Sequence, residues 1–402
     1  MVSDRQVTVE DREARSVSEG SLVHWGSVKF HPFRKALFQI HLWIGIAAAL
    51  YVVLVGFTGA ALVFRPEFQA LSFPEFFSID KGGQADAPVA GIIEKLQQRY
   101  PGYELAGIDY PTRRRASYLS YLTKGPELVA AFSNPVSAAV IGELPKSSWI
   151  TKLQDLHFDL LGGSTGRMAN GIGALSLMAM FLTGLVVWRP AMSVKVNFRT
   201  GWKRMNWDLH SATGFWLFGF LLLWAVTGVE FSFPARFRQV VNAISPLTVF
   251  RAPESAPAAD GTAAVDIPEL VAKARLLVPD AKPGRIVWPS SKRAAVLILM
   301  ARVDHGDFDT SDEVELYFDQ YSGNLLLRRE GATEAASGGD LFMKWIGPLH
   351  VGSFGGSGVK VLWVILALSF PVLAVTGALM WWNRVRRFSM GCGRTRSSDR
   401  SL

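Results

Sequence analysis

Residues 37–64 read LFQIHLWIGIAAALYVVLVGFTGAALVF, and residues 206–233 read NWDLHSATGFWLFGFLLLWAVTGVEFSF. Each run is long enough to cross a bilayer as a helix, for which roughly 20 apolar residues suffice. Each carries a histidine near its start, His41 and His210, with a glycine four residues on (Gly45, Gly214) and another eighteen on (Gly59, Gly228). Residues four apart share a helical face, and eighteen residues make five full turns. Histidine and glycines are therefore expected on one stripe of each helix. The chain reads as an α-helical membrane protein.

Two further histidines have their own shared spacing. His157 opens DLHFDLLGGSTGRMANGIGALSLMAMFLTGLVVWR and His350 opens PLHVGSFGGSGVKVLWVILALSFPVLAVTGALMWWNR, each followed by GGS, then a basic residue (Arg167, Lys360), a glycine (Gly184, Gly377) and a tryptophan (Trp188, Trp381) at matched offsets. With their apolar runs these bring the expected spans to four, at about 36–64, 169–188, 212–233 and 359–382.

Length alone, at 402 residues, would suggest two or three soluble domains; the apolar runs overrule that. The first run is too long for a cleaved signal core and is expected to act as an anchor. Lys and Arg crowd the stretch between the second and third spans (Arg189, Lys195, Arg199, Lys203, Arg204), the tail after the fourth, and Arg34 and Lys35 before the first. By the positive-inside rule these three regions are cytoplasmic. The net charge of +8 is then a topological signal and an attraction to anionic lipid, not a nucleic-acid footprint. The one cysteine, Cys392, falls in the cytoplasmic tail, so there is no intramolecular disulfide and no Cys-x-x-Cys-His haem attachment site.

The expected partition is a tail 1–35, a first span 36–64, an outer module 65–156, a histidine-glycine segment with the second span 157–189, a cytoplasmic loop 190–209, a third span 210–233, a second outer module 234–349, a histidine-glycine segment with the fourth span 350–383, and a tail 384–402. In the first module VAGIIEKLQQRYPGYEL has Val89, Ile92, Ile93 and Leu96 on one helical face and ends at Pro101-Gly102. LAGIDYP, ASYLSYLT and LVAAFSNPVSAAVIGEL follow as strands. After the linker RAPESAPAADGTAA, the second module repeats the order with DIPELVAKARLLVPDAK, GRIVWP, AAVLILMARV and EVELYFDQYSGNLLLRRE. Each half is thus span, α-β-β-β module, histidine-glycine segment, span. With two spans per half, both copies enter the membrane in the same direction, a parallel repeat.

These duplicated motifs, Leu-His before GG at 156–163 and 349–356 and His-x-x-x-Gly at 41–45 and 210–214, resemble the PepSY-associated transmembrane family over about residues 35–390. The resemblance implies four transmembrane helices in two parallel repeats with two periplasmic α+β (PepSY-like) modules, in the bacterial inner membrane with both termini cytoplasmic. Some members are similar to haem-containing ferric-siderophore reductases.

Topological parity puts His41 and His210 at one depth and His157 and His350 at the other. Neutral imidazole is a good haem-iron ligand, and two make a six-coordinate b-type site with no open position for dioxygen. The expectation is two b-type haems with His41, His210, His157 and His350 as axial ligands, Gly45 and Gly214 giving close approach, and Arg167 and Lys360 neutralising propionates at the outer site. Arg34, Lys35 and Arg204 are the candidates at the inner one. Copper or zinc at a histidine pair, a proton relay, or plain helix packing by the glycines are the competing readings. Zincin, Walker A, GxSxG and dinucleotide motifs are all missing from the sequence, and electron transfer to a periplasmic ferric siderophore or other ferric chelate needs none of them. A quinol or a cytoplasmic reductase would donate. The rival functions are a non-enzymatic PepSY-type regulatory or ligand-binding protein, and a haem carrier serving another periplasmic partner. Arg113-Arg114-Arg115 reads as a solvated loop, or as a patch attracting an anionic chelate; the acidic stretch Asp304–Glu313 could hold a cation but lacks the EF-hand order and reads as a loop, and His24 and His31 as solvated or interfacial residues.

Overall fold

The computed structural model describes residues 32–145, 147–188, 194–257, 261–302, 313–330 and 336–394. His24, His31 and the acidic stretch before Glu313 lie outside them, as does the side chain of Cys392. The first half opens with α1 (Pro32–Leu62), which ends where Pro66 starts the short α2 (Arg65–Ser72). Next comes α3 (Pro74–Phe77), then α4 (Val89–Arg99), closed by Gly102 at φ 80°. Strands β1 (Glu104–Asp109), β2 (Tyr118–Lys124), β3 (Glu127–Ser133) and β4 (Val140–Glu143) follow. Helix α5 (Trp149–Asp159) is N-capped by the Ser148 hydroxyl, which accepts from the Thr151 N–H. Left-handed Leu160 and Leu161 then turn the chain into α6 (Gly163–Val187).

The second half runs α7 (Trp202–Trp216), α8 (Phe218–Ser232), α9 (Pro234–Ile244) and α10 (Ile267–Leu277). Then come β5 (Lys282–Val287), β6 (Val296–Ala301), β7 (Glu313–Phe318) and β8 (Leu325–Glu330). Helix α11 (Gly338–Val351) starts with a Ser337–Asp340 capping box and stops at left-handed Gly352. The chain ends in α12 (Gly356–Ala367) and α13 (Ser369–Arg394).

Among the described residues, three helical stretches are long and apolar enough to cross a membrane: Pro32–Leu62, Gly163–Val187 and Gly356–Arg386. The expected third span is instead the pair α7 and α8, bent by 66° at Leu217, and counts as a fourth crossing if the pair is one span. Val52, Leu177, Leu221, Ala225 and Phe370 form the bundle core. Close approach is built in at Gly56, where a Cβ would stand 2.7 Å from Pro371 Cδ. Leu50, Ile365 and Val361 point outward and exposed, as a lipid-facing surface requires.

The two modules differ from expectation in two ways. Each has four strands rather than three, because Asn134–Ala139 and Asp319–Asn324 are tight turns that split the third expected strand into a hairpin. The modules are also not separate. All eight strands form one antiparallel sheet, ordered β4-β3-β2-β1-β5-β6-β7-β8. The seam is β1 against β5, pairing Gly107 with Val287, Ile108 with Ile286 and Asp109 with Arg285. Helices α4 and α10 cover one face, burying Ile92, Leu96, Leu270 and Ala274 against Ile108, Leu122, Ile286, Ile298, Met300 and Leu316. Each such Leu or Ile contributes roughly 1.5–3 kcal/mol. On the other face, Arg285 makes a two-pronged ion pair with Asp109, and the Tyr121 hydroxyl donates to Asp109 Oδ2 at 3.3 Å.

Candidate functional site

The histidines meet in two pairs, each drawing one residue from each half of the chain. The ring centres of His41 on α1 and His210 on α7 are 6.4 Å apart; those of His157 on α5 and His350 on α11 are 6.5 Å apart. A metal ion shared by two imidazoles sits about 2 Å from each nitrogen, with roughly 1 Å more to the ring centre, so ring centres fall about 6 Å apart. Both separations match that requirement.

The second nitrogen of every ring is occupied. His41 Nδ1 lies 3.3 Å from Thr183 Oγ1 and 3.0 Å from the Met180 carbonyl. His210 Nδ1 lies 2.9 Å from Thr376 Oγ1, His157 Nδ1 2.9 Å from Thr58 Oγ1, and His350 Nδ1 2.7 Å from Thr227 Oγ1. Nε2 is left as the nitrogen free to ligate. These threonines were missed in the sequence, although each immediately precedes one of the marked glycines (Thr58-Gly59, Thr183-Gly184, Thr227-Gly228, Thr376-Gly377).

The glycines divide differently from the stripe expectation. Gly45 and Gly214 do line the cavity that holds His41 and His210. Gly59 does not serve His41; it lies under His157, where a Cβ would meet Cε1 at 3.0 Å. Gly184 and Gly377 bear the same relation to His41 and His210, at 3.1 and 3.3 Å. Helix α1 carries His41 of one site near its start and Thr58-Gly59 of the other toward its far end, so a single stripe touches both. Gly228 is the exception, packing on Ala174, and the His350 ring is instead met edge-on by Phe231 at 5.0 Å.

The His41–His210 pair sits in a cavity of about 350 Å³, within the usual range for small-molecule pockets. Its walls are apolar apart from the two imidazoles, Ser211, the indoles and Arg384. Arg384 was not singled out in the sequence. Trp188 and Trp381, the tryptophans at matched offsets after His157 and His350, line this cavity too, with Trp188 stacked on Phe215 at 4.2 Å. Trp43, Trp216 and Trp382 are exposed.

At the outer pair, α5 and α11 end just past their histidines, leaving last-turn carbonyls in need of donors. Asn170 Nδ2 donates to the carbonyl of His157 at 2.9 Å, and Tyr51 donates to Asn170 Oδ1 at 2.8 Å. Trp224 Nε1 donates to the carbonyl of His350 at 2.9 Å and Trp363 Nε1 to that of Leu349 at 2.7 Å.

The basic candidates fare unevenly. Lys360 is buried with only 4 % of its side chain exposed, and its Nζ is 2.5 Å from Glu67 Oε1, so its charge is already neutralised. Arg167 is exposed on α6. Arg34 donates to the carbonyls of Val187 and Trp188 at the C-terminal end of α6, and Arg204 pairs with Asp208 at 2.8 Å. Lys35 is exposed. Arg115 is used locally, donating to the carbonyls of Tyr110 and Ser117.

The family model for the PepSY-associated TM region matches residues 38–384, spanning both histidine pairs and the whole sheet. The chain belongs to this family. No curated protein matches the PepSY-associated chain. Among its described residues no three His, Cys, Asp or Glu side chains gather in a metal-binding group. Each site therefore offers a metal two imidazole nitrogens. That donor set suits an ion whose remaining positions are filled by a macrocycle better than a four-ligand zinc site.

Proposed function

We propose that the two histidine pairs hold two b-type haems, and that the protein carries electrons across the bacterial inner membrane to a ferric siderophore or other ferric chelate. The observation that carries this reading is the pairing itself: two imidazoles at 6.4 and 6.5 Å, contributed by opposite halves, at each of two sites. A haem held there by the two histidines would supply one-electron transfer.

The chain's own residues have definable tasks. The histidines, with Nδ1 engaged, would hold the group through Nε2. Gly45, Gly184, Gly214 and Gly377 keep the inner cavity free of side-chain bulk, and Arg384 is the cation on its wall. Aromatic residues run from that cavity to the outer pair. Phe181 and Phe370 line it, with ring centres 5.9 Å apart; Phe370 lies 5.9 Å from Trp224, and Trp224 is bonded to the His350 carbonyl. Lys and Arg flanking the spans favour a cytoplasmic inner site and a periplasmic sheet. A quinol or a cytoplasmic reductase would supply one electron per iron. Reduction of the chelated Fe(III) to Fe(II) lowers its charge, and hard oxygen ligands then hold it less tightly, which frees it.

The test is the absorption spectrum of the detergent-solubilised protein. A reduced α-band of bis-histidine haem is expected, with stopped-flow reoxidation by ferric siderophores. A colourless protein would favour the regulatory reading. A haem protein that no ferric chelate reoxidises would favour a carrier for another partner.

A further inference from the structure

We propose that Thr58, Thr183, Thr227 and Thr376 are positioning residues that hold the four histidines in the Nδ1–H form, so that Nε2 presents its lone pair to the metal. The metal half of this statement rests on the haem reading; the tautomer half does not.

The argument is an accounting of hydrogens. A threonine hydroxyl has one hydrogen to give. Each of the four hydroxyls lies in the geometry of a bond to the carbonyl four residues back: Thr58 to Leu54 at 2.8 Å, Thr183 to Ala179 at 2.7 Å, Thr227 to Leu223 at 2.8 Å and Thr376 to Val372 at 2.6 Å. A carbonyl oxygen only accepts, so the hydroxyl hydrogen is spent there. The remaining contact to each imidazole must then have Nδ1–H as the donor and Oγ1 as the acceptor. At His41 a second oxygen requires the same assignment, because the Met180 carbonyl 3.0 Å from Nδ1 cannot donate. A neutral imidazole with its hydrogen on Nδ1 has its lone pair on Nε2.

The arrangement separates two duties. Each threonine sits in the same half of the chain as the histidine it orients: Thr183 with His41, Thr58 with His157, Thr376 with His210, Thr227 with His350. Each histidine pair, by contrast, crosses between halves. One half can therefore preset the tautomers of its own ligands before the halves close on a metal. The glycine after the threonine has a related role at three of the four histidines, giving the ring edge room that any Cβ would occupy.

The experiment uses the full chain in detergent with ¹⁵N-labelled histidine, as wild type and as the Thr58→Val, Thr227→Val, Thr183→Val and Thr58→Ser variants. Without added hemin, long-range ¹H–¹⁵N spectra should show Nδ1–H at His41, His157, His210 and His350. Thr58→Val should shift His157, and Thr227→Val should shift His350, toward a mixture of tautomers. Thr183→Val should shift His41 less, because the Met180 carbonyl still accepts. In hemin titrations the outer-site valine variants should lose about 10- to 100-fold in affinity, the usual cost of removing a partner of a ligating histidine, and Thr58→Ser should recover it. Nε2–H in the wild type, or valine variants matching the wild type in both spectrum and affinity, would overturn the proposal. A wild type that takes up no hemin would sink the haem reading alone, while the spectra would still decide the tautomer.

Discussion

Gly184 lies directly under the ring of His41: a methyl group on its Cα would stand 3.1 Å from the imidazole Cε1. That is tighter than ordinary van der Waals contact, and the neighbour is a ring whose other side faces His210. Gly184→Leu should push His41 out of register and empty the inner site, lowering haem from two per chain to one by pyridine haemochrome assay. Gly45→Ala should do little, because its nearest neighbour is the flexible end of Met180 at 3.5 Å.

The two sites should be separable. His41→Ala or His210→Ala should remove the inner haem and leave the outer one, while His157→Ala or His350→Ala should do the reverse. The double variant His41→Ala/His210→Ala should lose no more haem than either single one, since both ligands belong to one pair. Quantitative haem content and the reduced spectrum of each variant check this; a single variant that loses both haems would show the sites to be one unit.

The Lys360–Glu67 pair ties α12 to α2 with the lysine buried and the glutamate 45 % exposed. Removing the partner of a buried charge is worse than replacing that charge with an apolar chain of similar length. Glu67→Gln should therefore destabilise by about 2 kcal/mol, a full buried-pair penalty of about 3–5 discounted for the exposed side. Lys360→Met should cost less. Melting temperatures in detergent rank the two.

Asp340 closes the capping box of α11, the helix that carries His350, by accepting from the Ser337 N–H. Its carboxylate is held down to about 2, first by the Thr248 hydroxyl and then by the backbone N–H groups of Ser337 and Thr248. An unfolded aspartate titrates near about 3.9. A depressed carboxylate stabilises the fold fully above its unfolded value and loses that contribution as pH falls through the folded one. The melting difference between wild type and Asp340→Asn should thus be constant from pH 7 down to about 5, then shrink toward pH 2.

At the seam of the sheet only three residue pairs join β1 to β5, and Asp109 with Arg285 is one of them. Asp109→Ala removes a two-pronged ion pair with one half-exposed partner, an expected cost of about 1 kcal/mol. The loss should show as faster amide exchange along 107–109 and 285–287, with haem content unchanged.

Much of this protein was legible because membrane helices and histidines duplicated at matched spacing leave strong marks in sequence. The amphipathic helix of the first module buries Val89, Ile92 and Leu96 as its spacing required. The hairpin turns at 134–139 and 319–324 went unread because each interrupts a run that stays apolar on both sides. The bend at Leu217 falls in a stretch without proline, so it left no local signal.

What the sequence determined by itself was periodic and local: which segments are apolar enough to cross a membrane, that histidines recur at equal depth, and that the order of elements repeats. What only the tertiary structure decided was pairwise. Gly59 belongs with His157 and not with His41, although it shares a helix with the latter, because helix geometry fixes a face but not which neighbour meets it. The threonines became visible only once their hydroxyls were found against imidazoles from other helices. The single sheet likewise depends on β1 meeting β5 although three strands and helices of the bundle lie between them in the chain, an encounter governed by the packing of the halves and written in no window of residues.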